Sequence, residues 1–156
     1  MTRRIDIVEV GPRDGLQNDP ADLSTEQKLE FISRLQECGV TRMESGSFVS
    51  PKAVPKMADS GAVFRGLDRQ NNVRHIALAL NEKGVRRAID ADADEINFVL
   101  VAGEGFGARN QRMTPQESAD MLALCAPLVH DADIPLSATI SVAFGDPYSG
   151  EVDPAI

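Results

Sequence analysis

Three nearly uninterrupted apolar runs, 73–80 (VRHIALAL), Glu95–Val101 (EINFVLV) and 135–142 (PLSATISV), alternate with stretches of helical spacing. A strand that is apolar on both sides must be covered on both sides, which is the mark of a parallel sheet flanked by helices. Two further strands are expected at 5–10, rich in β-branched residues, and at 41–44. The helix starts are explicit. Ser24-Thr25-Glu26-Gln27 looks like a helix start with a capping Ser or Thr, and Leu29, Ile32, Leu35 and Gln36 follow at helical spacing until Gly39. Thr114-Pro115-Gln116-Glu117 opens a helix that runs to about His130, while 58–67 and 83–91 are the weaker helical segments.

Two architectures suit this rhythm, an open doubly wound sheet and a closed (β/α)8 TIM barrel. The first strand leads into Gly11-Pro12-Arg13-Asp14, with no G-x-G-x-x-G, which disfavours a dinucleotide-binding sheet. Charged groups at the carboxyl ends of successive strands favour the barrel. With 156 residues, the chain covers about five strands, whereas the full barrel has eight and typically about 250 residues. Residues 1–156 are therefore expected to be the N-terminal part of a single barrel domain whose C-terminal part is missing.

Sixteen basic against 24 acidic residues, a net charge of −8, argue against nucleic acid or an anionic membrane as partner. Residues 1–4 lead straight into strand-like sequence and lack the apolar core of a signal peptide. No window reaches the roughly 20 apolar residues of a membrane-spanning helix. The cytoplasm is the default location. Cys38 and Cys125 lie in no metal or redox motif and are expected to be buried structural thiols. His75 and His130 stand alone and are expected to be structural.

Three places can carry chemistry. Asp14, on a rigid Gly-Pro turn, suits a hard divalent cation, and Arg13 offers fixed donors for an oxyanion. Gln17 lies one turn on and can donate to substrate. Taken alone, the dipeptide Arg13-Asp14 reads first as a surface pair in a capped loop, because Arg-Asp-Gly is common in turns. Glu44, ending a short strand, can be a base, a support for a metal ligand or a partner for a neighbouring arginine. Gly103-Glu104-Gly105-Phe106-Gly107 follows a strand but lacks the Gly-Lys-Ser/Thr of a phosphate loop, so it is expected to be a flexible loop at the active face.

The stretches VEVGPRDGLQN, ESGSFVSPKAVPKM, NEKG and AFGDPYSG, spread over essentially the whole chain, resemble the 3-hydroxy-3-methylglutaryl-CoA lyases, a family of metal-dependent barrel lyases. The resemblance implies a TIM barrel that binds Mg²⁺ or Mn²⁺ and cleaves an acyl-CoA substrate to acetyl-CoA and acetoacetate, a step of leucine degradation, as a homo-oligomer such as a dimer. It implies Asp14 as metal ligand, Arg13 as the group stabilising the enolate and Glu44 as an essential acid beside them. Gln17 and Ser47 would line the same pocket and bind substrate with Arg13. The family's His-x-His metal pair, a later Asn ligand and a loop with a reactive cysteine would fall beyond residue 156, so the piece alone is expected to be inactive. Two departures stand out: the family commonly has Cys at Asp146 and Ser at Gly103. A lyase for a longer branched hydroxyglutaryl-CoA remains open. Claisen-type synthases of the isopropylmalate kind share Arg-Asp-Gly but read Thr-Leu-Arg-Asp-Gly-x-Gln, unlike this chain. A catalytically incomplete half-barrel is the rival from another class.

Overall fold

The computed structural model describes residues 5–69 and 72–155. Met1–Arg4, read above as running directly into a strand, lie outside them. Four parallel strands form one sheet in the order β1 (Arg42–Ser47), β2 (Arg74–Ala79), β3 (Glu95–Val101) and β4 (Leu136–Ser141). A short turn of helix, α1 (Leu16–Asn18), and α2 (Thr25–Glu37) precede β1, and between the strands run α3 (Ser60–Gly66), α4 (Glu82–Ile89), α5 (Glu104–Asn110) and α6 (Pro115–Asp131). Strictly sequential order means that every right-handed crossover steps in the same direction, which puts the crossover helices on one face. A doubly wound sheet would reverse direction and sandwich itself between helices. The open-sheet alternative is thereby excluded, and the arrangement is that of part of a barrel wall.

The helix-facing side is the core. Met43, Ala77, Ala79, Ile96 and Phe98 of the strands pack on Ile32, Phe64, Val85, Ala88, Cys125 and Val129 of the helices, all buried. Local signals set the helices. Ser24 accepts from the Gln27 amide while the Gln27 side chain accepts from the Ser24 amide, so of the two candidate caps it is Ser24 that serves, in a reciprocal capping box. Thr114 and Glu117 repeat it for α6. Gly39, at φ +90, closes α2 in the left-handed region. Ser24→Ala is expected to cost about 1 kcal/mol of stability, read as a lower urea midpoint; an unmoved midpoint would deny the cap any energetic role.

Four expectations need correction. Residues 5–10 do not form a strand. They are extended and touch the sheet through a single parallel bridge, Glu9 to Met43, with Glu9 N–H donating to Arg42 O and Glu44 N–H to Glu9 O. The reason is missing cover: Ile5 and Ile7 are 84% and 83% exposed, so nothing rewards pairing there. Among the described residues the sheet therefore has four strands, not five. Second, β1 extends beyond 41–44 to Ser47 because Phe48 and Ser47 are buried beside β2 and α3. Third, Cys38 is exposed at the end of α2, whereas Cys125 is buried as expected. Fourth, 103–107 is not a flexible loop: Gly103 caps α5, which is helical from Glu104 onwards.

The opposite face of the sheet is polar. Glu95 is buried at the amino end of β3, where Arg42 Nη2 (2.5 Å) and Ser137 Oγ (2.7 Å) donate to its Oε1. Thr139 Oγ1 donates to Asn97 Oδ1 at 3.0 Å one layer up. On β4 the outward Ile140 is 57% exposed, an apolar side chain on a strand face that barrel walls cover with a helix.

Candidate active site

The turn after residue 10 is a single π-helical turn over Gly11–Gly15, with the Arg13, Asp14 and Gly15 amides all directed at Val10 O. Such turns widen the backbone locally and are frequent at functional sites. Gly11 N–H donates to Glu9 Oε1 at 2.6 Å, and a Cβ on Gly11 would sit 2.8 Å from that oxygen, so a side chain there would displace the Glu9 carboxylate. Pro12 is buried and fixes the next residue's approach. The effect is to throw Arg13 across the carboxyl end of β1.

There Arg13 Nε and Nη2 both lie 2.7 Å from Glu44 Oε2, and Nη1 lies 2.7 Å from Asp14 Oδ1. Glu44 is buried, and its other oxygen accepts from Asn97 Nδ2 at 2.7 Å. A continuous polar chain thus runs Asp14, Arg13, Glu44, Asn97, Thr139 over the inner face of three strands. Of the roles open to Glu44 in the sequence, partnership with a neighbouring arginine is the one the geometry displays. Arginine carries five N–H donors, and those not engaged by the two carboxylates are available to a substrate oxygen.

Glu44 and Ser47 are three residues apart and would face opposite sides of a regular strand. A bulge between Glu44 and Gly46 removes that conflict. It lets both line one cavity while Ser45 turns to the helix side, where its Oγ lies 2.7 Å from His75 Nδ1. Ser47 Oγ is buried on the cavity wall without a hydrogen-bond partner, an uncompensated polar group where a ligand would sit.

The cavity, about 980 Å³, takes in all five expected residues, Arg13, Asp14, Gln17, Glu44 and Ser47. Asn97 and Thr139 are site residues that the sequence reading missed. Their signal was a polar residue at every second position of an otherwise apolar strand: Glu95 and Asn97, then Ser137, Thr139 and Ser141. The far rim carries Phe106, Arg109 and Arg112, with Lys52 on the near side. Asp14 is the accessible carboxylate, its side chain 52% exposed, and a hard cation prefers such an oxygen ligand. Among the described residues no group of three or more His, Cys, Asp and Glu side chains could hold a metal ion. Asp14 fits as one ligand, and these residues alone do not complete a site.

A run of sequential parallel strands with a polar inner face and its reactive groups at the carboxyl ends defines part of a barrel of the TIM type. The chain belongs to the HMGL-like family, whose model matches residues 4–156. It is 35% identical over 154 residues to the 3-hydroxy-3-isohexenylglutaryl-CoA/hydroxy-methylglutaryl-CoA lyase of Pseudomonas aeruginosa, covering 99% of this chain and 51% of that one. It is 38% identical over 150 residues to the cytoplasmic 3-hydroxy-3-methylglutaryl-CoA lyase of Homo sapiens, covering 96% and 40% respectively. The structure of an HMG-CoA lyase from Acinetobacter baumannii, in complex with coenzyme A and 3-methylmalate, superposes with a TM-score of 0.92 at 35% identity. That match covers 99% of this chain and 52% of the other. The HMG-CoA lyase of Brucella melitensis gives 0.91 at 38% identity, covering 98% and 54%. The chain spans about half the length of the curated relatives it matches. Relatives include mitochondrial and cytoplasmic forms. Among the described residues no helix is long and apolar enough to cross a membrane.

Proposed function

We propose that this chain forms the first part of a divalent-metal-dependent barrel lyase that cleaves 3-hydroxy-3-methylglutaryl-CoA, or a close branched homologue, to acetyl-CoA and a 3-oxo acid such as acetoacetate. The observation that carries the reading is the meeting of Arg13, Asp14, Gln17, Glu44 and Ser47 on one cavity wall at the carboxyl ends of the strands. The exposed outer face of β4 supports a domain that continues past it.

Asp14 would hold the cation, Mg²⁺ or Mn²⁺, together with ligands outside the described set. When bound, the ion supplies Lewis-acid polarisation of the substrate's hydroxyl and carboxylate oxygens. The chain's own residues supply orientation and charge stabilisation. Glu44, fixed by Asn97, holds the Arg13 guanidinium in one orientation, so no reorganisation is needed as charge develops. The hydroxyl proton leaves to a base outside the described set, the carbon–carbon bond pair passes to the thioester as an enolate, and Arg13 meets the oxygen charge with its remaining N–H donors until the enolate carbon is protonated to give acetyl-CoA. Ser47 Oγ and the Gln17 amide bind the flanking oxygens. Glu44 is in this account a positioning residue and Arg13 the catalytic one. A reducing, cytoplasmic setting is proposed with it, supported by two free thiols, one of them exposed.

The test is turnover of hydroxymethylglutaryl-CoA by the intact protein with Mn²⁺, followed as acetoacetate. No cleavage of this or longer 3-hydroxyglutaryl thioesters would end the lyase reading and leave the catalytically incomplete half-barrel in its place. Asp14→Ala is expected to weaken Mn²⁺ binding by about a hundredfold, in the range for losing a group that a metal site depends on. Calorimetry showing unchanged affinity would remove Asp14 from the ligand set.

A further inference from the structure

The two positions at which this chain departs from the resemblance, Gly103 and Asp146, are in contact with each other. Gly103 is the N-cap residue of α5, and its backbone, at φ −95 and ψ 133, would accept any residue. What excludes a side chain is space. A Cβ there would overlap the Asp146 carboxylate and lie 2.7 Å from Asp146 Cβ and Cγ. The carboxylate occupies the volume of the missing side chain and performs its task. Its Oδ2 accepts from Phe106 N–H at 2.8 Å, the bond that an N-cap serine would make to the third residue of its own helix. Its Oδ1 accepts from the Tyr148 and Ser149 amides at 2.8 and 3.3 Å. Ser149 Oγ accepts from Gly105 N–H at 3.4 Å, and a Cβ on Gly105 would meet Tyr148 Cβ at 2.8 Å. The Arg109 guanidinium stands 3.9 Å over the Tyr148 ring.

We propose that Gly103 and Asp146 are a matched pair in which a cap supplied from another loop replaces a local one, locking the segment after β4 onto α5. The lock fixes the place of Phe106 and Arg109 on the cavity rim, so Asp146 is a positioning residue for the part of the substrate remote from the reacting carbons. A helix capped by its own serine would hold together without the second loop. Here α5, with glycines at 105 and 107, depends on that loop, and the rim helix and the segment behind it move as one.

The choice of substrate in the test rests on the lyase reading, whereas the lock itself does not. In the intact protein, amide hydrogen exchange across α5 and 146–150 is compared for G103S, D146N, D146A and the double variant G103S/D146G, whose glycine at 146 also removes the Cβ that a side chain at 103 would meet at 2.7 Å. Each single change is expected to speed exchange of α5 about tenfold or more, an opening made easier by loss of a cap. The double variant restores protection of α5, because the introduced serine then caps in place, but leaves 146–150 fast. Losses that add in the double variant, or a D146A protein with unchanged exchange, would overturn the pairing. With hydroxymethylglutaryl-CoA, D146N is expected to raise KM about tenfold and change kcat less than about twofold, the pattern of lost binding remote from the chemistry. A fall in kcat at unchanged KM would overturn the assigned role on the rim. A wild-type protein without lyase activity would sink the functional reading while exchange still decided the lock.

Discussion

In the intact lyase proposed above, Arg13→Gln is expected to lower turnover of hydroxymethylglutaryl-CoA by about a thousandfold, the scale of losing a preorganised donor to a developing oxyanion. Glutamine keeps an amide donor near the same place but lacks the charge and the fork of parallel N–H groups. The variant also strands Glu44, which is buried and whose Oε2 would be left without its cation. Removing one member of a buried pair typically costs about 3–5 kcal/mol, and the retained Asn97 bond and the glutamine amide soften this. A stability loss must therefore be separated from a catalytic one. In the double variant Arg13→Gln/Glu44→Gln the stranded charge is gone, so the thermal midpoint should recover most of the way to wild type while turnover stays low. Recovery of turnover along with stability would show that Arg13 serves the fold and not the reaction.

The site was legible in proportion to how local its signals are. The helix starts at Ser24-Thr25 and Thr114 and the bounds of β3 follow from a few adjacent residues, and they stand where the sequence puts them. The turn that presents Arg13 and Asp14 is likewise local, with Gly11 and Pro12 dictating its shape. Residues 5–10 have the composition of a strand, yet strand formation needs a neighbouring strand along its length, and here the pairing is an isolated bridge from Glu9 to Met43. The bulge that brings Ser47 round beside Glu44 depends on packing of Gly46 against Ser60, whose Oγ also accepts from the Ser47 amide at 3.1 Å. No pattern within β1 announces it. The glycine-rich 103–107 segment reads as a loop because its cap lies on Asp146, far away in sequence. Asn97 could have been found, since an amide at an inward position of an apolar strand needs partners.

His75 should make the fold sensitive to mild acid. It is fully buried on the helix side of β2. Gln36 Nε2, 3.1 Å from His75 Nε2, donates to it and so places the proton on Nδ1, which points at Ser45 Oγ 2.7 Å away. A second proton would have to face the Gln36 amide nitrogen. Burial lowers the imidazole to about 4; Asp94 pulls the other way, and Arg69 adds to the lowering. Because the folded value lies below the unfolded 6.5, the unfolded chain binds the proton first. Stability is then full above about pH 6.5 and is lost as pH falls towards 4, by about 3 kcal/mol in total. Asp146 titrates in a separate window. Burial pushes its carboxyl up, but the Phe106, Tyr148 and Ser149 bonds outweigh this and hold it at about 2 against an ordinary 3.8, so its contribution disappears only below that ordinary value. Urea unfolding at pH 7, 5.5 and 4.5 should show the wild type losing stability across the upper window. His75→Asn, which keeps a donor towards Ser45 without a titrating ring, should be less stable at pH 7 but much flatter. A variant that keeps the full wild-type slope between pH 6.5 and 4 would move the acid sensitivity away from His75.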